Sequence, residues 1–360
     1  MQLNENTIIS LQEAQQKSIA AKQLVEEQLR IIYENNWFNI WVPKEYNGLS
    51  YSLLEGFRLF KDLAYVDGGM AWTITLCSGA NMFAGYMDPV VAKETFQNPK
   101  VCFGGSGRAN GKAVFDGKRF TLSGTWQYAT GAPHLTHFTL NAQVYDGQMP
   151  RVDGQGLPVI FSFFVPREHV LIHYDWNTFG LECTASHSFS LDNVVVSAAN
   201  AFRLIPEERK VDSALFRIPF MTFAELTLLP NYIGMYKRFL DLTEKYFFQK
   251  AKDTVWAEQY SKQHFRLVDT LQQKLENDVV KIEDLILKLW TFAELTHEAF
   301  DPRLLDEIAS ISRAIVKDIR EQVCYIFPLL GISGAQRENE INIVFRNIFT
   351  ATQHSLLNVR

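Results

Sequence analysis

Cysteine is scarce. The 360 residues hold four (Cys77, Cys102, Cys183 and Cys324), widely separated and without a Cys-x-x-Cys spacing. That excludes a disulfide-built scaffold and predicts reduced thiols in a reducing compartment. Clustered positive charge is also missing: 35 Lys and Arg stand against 40 Asp and Glu, a net −5. A nucleic-acid partner needs a basic stripe, so that class is excluded. No apolar run is long and clean enough to span a bilayer. The nearest, Gly69 to Met87, is interrupted by Thr73, Thr75, Ser78, Gly79 and Asn81, which predicts a helix buried in a soluble protein. The opening stretch MQLNENTIIS lacks the basic-then-apolar order of a secretory signal. A cytoplasmic protein with no membrane partner is expected.

What is present is a large apolar complement, 47% of residues with 13% aromatic, enough to bury the cores of two or three sub-domains. Three zones follow one another. In the first, about residues 1–100, Leu11, Ala14, Ser18, Ala21, Val25, Leu29 and Ile32 recur at steps of three and four. This predicts one amphipathic helix of some seven turns. Trp37 to Gly48 reads as a loop, and two more helices are expected over 51–66 and 69–86, split at Asp67-Gly68-Gly69. The second zone, 101–205, reads as an antiparallel sheet or small barrel. Asp116-Gly117 turns a hairpin between 113–115 and 119–122, and strand-like runs recur at 136–144, 158–165, 169–174 and 187–196. The third, 206–360, is helical again; Asp301-Pro302 starts one helix, and the last begins near Glu338 after the break Pro328 to Gly334. Helices, β domain, helices: the class is α+β.

Several segments carry candidate chemistry. Gly104, Gly105, Gly107 and Gly111 resemble a phosphate cradle, but a hairpin follows them and the dinucleotide spacing lacks its third glycine. Either a plain turn or a loop that brings backbone amides to a ligand fits them. His134 and His137 lie in a β-prone stretch, where residues three apart point to opposite faces. With no Cys or carboxylate in sequence to complete a set, no metal site is expected. Ser123 to Ala132 (SGTWQYATGA) leaves a strand, offers aromatic faces, then small residues and a hydroxyl. A flat heterocycle with polar edges needs that combination, and a strand end with a buried Trp fits it too. The run Phe345 to Ser355 concentrates Thr, Gln, His and Ser beside apolar residues. Its His354 is either a cap or an acid–base group near neutral pH.

VPKEYNGLS, YVDGGMAW, SGTWQYATGA, DWNTFGLECTASHSFSLDNVVV and FRNIFTATQHSLL occur in this order across nearly the whole chain. Together they resemble the acyl-CoA dehydrogenase superfamily. The resemblance implies an N-terminal helical domain, a central antiparallel β domain and a C-terminal four-helix bundle. It also implies flavin (FAD or FMN) between sheet and bundle, and a homotetramer or homodimer.

Within that superfamily the dehydrogenase branch uses a glutamate base against a thioester. Here Arg346 matches its arginine, Asn347 replaces the aspartate, and the glutamate position falls on Ser355. The alternative base position, on the first bundle helix, holds Ala224 with Glu225 one residue along. The Arg and Phe-Gly that contact the FAD pyrophosphate are absent from Phe247 to Lys252, and the adenine-end turn survives only as Gly331 to Gly334.

The reduced-flavin monooxygenase branch is closer. Thr130-Gly131 and Gln353-His354 match its motifs, and Cys183-Thr184-Ala185-Ser186-His187 matches Gly-Thr-Gly-Ser-His in part. The resemblance thus implies a two-component monooxygenase acting on an apolar or aromatic small molecule, with a separate flavin reductase. His354 and Thr130 are its expected catalytic residues. Phe103, Gly104, Ser106, Trp126, Tyr128, Ala129, Thr130, Gly131 and Gln353 are the expected flavin contacts. An acyl-CoA dehydrogenase with Glu225 as displaced base, and a non-catalytic flavin-binding paralogue, are the alternatives.

Overall fold

The computed structural model describes residues 3–358. The N-terminal part opens with α1 (Glu5–Ala21) and α2 (Glu26–Glu34). The single seven-turn helix expected from the periodicity is therefore two. Lys22 takes a left-handed φ of 54° and ends α1, and the Ser18 hydroxyl accepts from Val25 N at the start of α2. The apolar spacing runs on through the break in the sequence, so spacing alone does not reveal it, although Ala21 at the junction is exposed. Residues 37–48 contain two short 3-10 turns. Then α3 (Leu53–Val66) starts at a capping box formed by Ser52 and Glu55, and α4 (Gly68–Asn81) starts at Asp67, whose carboxylate accepts from Gly69 N and Met70 N. Almost every side chain of α4 is buried, as a helix without an exposed polar face requires. A short α5 (Pro89–Thr95) leads to the sheet.

Eight strands form one sheet: β1 (Phe103–Phe115), β2 (Arg119–Ala129), β3 (His137–Asp146), β4 (Met149–Pro150), β5 (Ile160–Pro166), β6 (Leu171–Ile172), β7 (His187–Ser197) and β8 (Ala201–Phe202). The order is β6-β7-β2-β1-β3-β5-β8, with β4 beside β3. The expected hairpin at Asp116-Gly117 is present, with Phe115 opposite Phe120. Every pairing is antiparallel except β1 with β3, which is parallel, because the chain leaves β1 through the β2 hairpin and returns on its other side. No helix forms that crossover, so the unit is not βαβ. The β1–β3 register shifts between Ser106 and Gly111, a bulge that falls within the glycine-rich stretch.

The C-terminal part has a short α6 (Ala214–Arg217) and a bundle. Its long helix α7 (Phe220–Lys250) is followed by α8 (Thr254–Trp256), then α9 (Lys262–Leu295), α10 (Pro302–Ile326) and α11 (Glu340–Ala351). Asp301 caps α10 with Pro302 at its first position. Pro230 lies inside α7 and is buried. It removes one helical donor, and the next side chain, Asn231, donates to Thr227 O, to Leu228 O and across to Thr75 Oγ1 on α4 at 3.0 Å. That contact ties the first bundle helix to the buried helix of the N-terminal part. Among the described residues, no helix is long and apolar enough to cross a membrane.

Candidate active site

A cavity of about 560 Å³ lies where α4, the glycine-rich half of β1, β3 and the start of α7 meet. Its volume is within the range of small-molecule sites. The helix walls are largely apolar (Leu76, Phe83, Phe223 and Leu228 among them), with Thr75, Ser106, Thr130, Asn141 and Ser162 supplying polar atoms. Gly79 and Gly107 also line it, and a Cβ on either would meet nothing within 4 Å. Their bare backbones thus face open space, where a planar ring can approach closely.

The expected flavin contacts divide. Gly104, Ser106 and Thr130 line the cavity. Ser106 Oγ donates to Gln127 O at 2.5 Å, which ties β1 to β2 below Thr130. Ala129 is buried at the end of β2, paired with His187. Gly131, at φ 77°, donates its N–H to Thr184 O at 2.8 Å. Four other positions lie away from the cavity. Phe103 packs on Phe96, His137 and Phe164 in the core. Trp126 is wholly buried, stacks on Phe189 and donates Nε1–H to Asn141 O. It occupies the room left by Gly111 and Gly124, so it is a strand-packing tryptophan. Tyr128 is half exposed and meets the edge of Trp176. Gln353 is exposed, two residues past α11, and donates to Phe349 O in that helix's last turn. The β2–β7 register shifts between Trp126 and Ala129, so strict alternation does not carry from Trp126 to Thr130.

Around Thr130 the sequence motifs converge. Thr130 Oγ1 and Ser186 Oγ lie 2.9 Å apart, Ser186 and Thr184 hydroxyls 2.8 Å, and Thr184 donates to Leu181 O. This hydroxyl chain joins the end of β2 to the loop before β7. The loop is held in turn by α11: Leu181 N donates to Asn347 Oδ1 at 2.7 Å, and Arg346 bonds Phe179 O and Glu182. Arg346 and Asn347 therefore serve as loop clamps.

His354 lies three residues beyond the end of α11, in a turn, so the four-residue helical spacing to Thr350 does not place both on one face. Its ring meets the edge of Trp72 on α4, which also packs on Tyr232 of α7. The hydrogen bonds described for His354 run to Ala351 O and from Leu356 N; neither reaches Thr130. Burial pushes its pKa down, so the imidazole is neutral at pH 7.

Neither dehydrogenase base position, 224 or 355, carries a carboxylate. Ala224 lines the cavity, whereas Glu225 is buried and paired with Arg313 of α10. Ser355 is exposed. No Asp or Glu lines the cavity among the described residues.

Sequence reasoning missed a second assembly. His134 does not pair with His137, whose Nδ1 lies 3.1 Å from Thr136 Oγ1. Instead Cys77 from α4 and Cys102 from the lead into β1 come to His134, with their ligand atoms all within 4.8 Å of one another. No local spacing signals it, because the three residues come from separate elements.

The solved structure of 3-HSA hydroxylase from Rhodococcus sp. RHA1 superposes with a TM-score of 0.88 at 15% identity, covering 98% of this chain and 91% of that one. XiaF from Streptomyces sp., solved with FADH2 and glycerol, gives 0.84 at 18% identity, covering 98% and 90%. The chain has the fold of these two structures over nearly its whole length. Among curated sequences, indole-3-acetate monooxygenase of Pseudomonas putida is 25% identical over 201 residues, 56% of this chain and 49% of the relative. The chain thus spans about half the length of that relative. No protein-family model matches.

Proposed function

We propose that the protein is the oxygenase component of a two-component, reduced-flavin monooxygenase acting on an apolar or aromatic small molecule. The observation that carries this reading is a ligand-sized cavity at the sheet–bundle junction without a carboxylate in its wall. Removing a proton alpha to a thioester needs a positioned base. Here Ala224 stands at the wall and Glu225 turns to Arg313. The relatives and neighbours named above, a monooxygenase, a hydroxylase and a protein bound to FADH2, support the same class.

The donor set fits a flavin: bare glycine backbone at Gly79 and Gly107, the Thr130 hydroxyl, and Gly104 and Ser106 along β1. Bound there, reduced flavin would supply the electrons that activate dioxygen. The chain's own part is positioning and exclusion. Thr130 is fixed through Ser186 and Thr184, so its hydroxyl is preorganised, and preorganised donors reach about 3–4 kcal/mol each in other enzymes. The apolar residues of α4, of the turn after it and of α7, namely Leu76, Phe83, Phe223 and Leu228, hold the substrate and keep water out. Neutral His354, set against Trp72 outside the cavity wall, would hold or accept a proton at its free ring nitrogen. A separate reductase supplies the flavin, and the chain works as a homotetramer or homodimer in the cytoplasm.

The test is a pair of measurements on purified protein. Reduced FMN and FAD are titrated anaerobically, and acyl-CoA thioesters are offered with an artificial electron acceptor. Saturable binding of reduced flavin without thioester turnover is expected. Thioester-dependent reduction of the acceptor would overturn the reading, and no flavin binding at all would leave a non-catalytic paralogue.

A further inference from the structure

We propose that Cys77, Cys102 and His134 form a binding site for a zinc-class divalent cation, directly behind the Thr130–Gly131 wall of the cavity. The three side chains come from α4, from the residue before β1 and from the short 3-10 turn after β2. Their ligand atoms all lie within 4.8 Å of one another. Both cysteines are fully buried, and His134 Nε2 is a buried atom with no hydrogen-bond partner. Buried polar atoms are normally satisfied, and a bound cation would supply the missing partner. The ring is also held in place: Phe38 stacks on it at 5.6 Å and 18°.

Chemistry narrows the ligand. Two sulfurs and one imidazole nitrogen are a soft donor set that prefers zinc over magnesium or calcium. Two thiolates and a neutral imidazole cancel a double positive charge, so the complex buries no net charge, which a core tolerates far better than a lone ion. The Thr130 carbonyl accepts from Cys77 Sγ at 3.6 Å and offers an oxygen for a fourth position. Space for the group depends on Gly131. A Cβ there would stand 2.7 Å from the His134 ring and 3.2 Å from Cys77 Sγ. A cation at this place would pin the Thr130–Gly131 turn from behind, through atoms that do not themselves enter the cavity.

The experiment uses the full chain without flavin, so its result is independent of the proposed monooxygenase activity. Protein stripped with a chelator under reducing conditions is titrated with Zn²⁺ against a chromophoric competitor, and separately with Co²⁺ to read the ligand-field and thiolate charge-transfer bands. One ion per chain with thiolate bands is expected. Cys102→Ser and His134→Gln should each weaken zinc by about 100-fold or more, since outer-shell changes alone cost about 10–100-fold. Cys324→Ser, at an exposed position on α10, should leave binding unchanged. Cobalt bands without sulfur character, or equal zinc affinity in parent and Cys102→Ser, would overturn the proposal. So would parent protein with its thiols shown to be fully reduced that takes up no metal. If Cys102→Ser does not fold, the parent cobalt spectrum and His134→Gln decide.

Discussion

Arg313→Met isolates the role of Glu225. Glu225 is 4% exposed and its carboxylate pairs with the Arg313 guanidinium, whose side chain is 38% exposed. Burial raises the Glu225 pKa, and Arg313 partly offsets this. Removing the cation leaves a buried carboxylate with no compensating charge. Breaking a dry pair costs about 3–5 kcal/mol; because solvent reaches Arg313, about 2–3 kcal/mol is the better figure here. That corresponds to a drop in melting temperature of the order of 5 °C. The pH dependence has a definite sign. A carboxyl with a raised folded pKa favours the folded state below its unfolded value, near 4.3, and loses that advantage as pH rises through the folded value. The deficit of Arg313→Met should therefore be small near pH 4.5 and grow toward pH 8. Differential scanning calorimetry of parent, Arg313→Met, Glu225→Gln and the double variant, each from pH 4.5 to 8, measures it. The double variant should recover most of the loss. A deficit independent of pH, or a double variant no better than the single, would show that the pair does not hold Glu225. Glu225 would then be free to act as a base, and the dehydrogenase alternative would revive.

Gly105→Ala should be strongly destabilising, since its Cβ would stand 1.7 Å from Thr139 O in the neighbouring strand; overpacking of this kind costs about 1–3 kcal/mol or more, and soluble yield and melting temperature read it. His137 is buried against Phe103 and Phe164, and burial depresses its pKa to about 4. A depressed imidazole favours folding above pH 6.5 and loses that contribution as pH falls toward 4, so His137→Gln should flatten the stability profile over that window, as urea titrations at stepped pH would reveal. Ala224→Glu puts a carboxylate into the apolar wall; product formation should fall at least tenfold while the fold, checked by circular dichroism, stays intact. His354→Ala should leave reduced-flavin affinity within about twofold and shift the products from hydroxylated substrate toward hydrogen peroxide, with unchanged coupling refuting the role given to the imidazole.

Much of the fold is legible in the sequence because its signals are local. Asp116-Gly117 fixes a hairpin, Asp67-Gly68 separates two helices, and Asp301-Pro302 opens a third, each through backbone preferences of the residues themselves. What local patterns do not carry is which neighbour an element meets. The α1–α2 break hides behind a continuous apolar stripe, and the parallel β1–β3 pairing depends on where the chain returns after its hairpin. For the site, Gly104, Ser106 and Thr130 are legible because small and hydroxylic residues at a strand end are unusual. Trp126 misleads because its chemistry suits both a ligand and the space above Gly111 and Gly124. The helical spacing expected between Thr350 and His354 fails because α11 ends at Ala351, and His354 is not among the residues lining the cavity. The Cys77–Cys102–His134 cluster and the Glu225–Arg313 pair are long-range meetings, invisible to spacing rules.

Isotope incorporation separates a monooxygenase from a dehydrogenase. Purified protein is supplied with reduced flavin by a flavin reductase, under labelled dioxygen, with a panel of indoles, phenols and fused aromatic rings, and the products are weighed by mass spectrometry. One labelled oxygen atom in a hydroxylated product is expected, dependent on the protein and lost in Ala224→Glu. Oxidised substrate carrying no label, or an α,β-unsaturated thioester formed from an acyl-CoA under the same conditions, would contradict the monooxygenase reading.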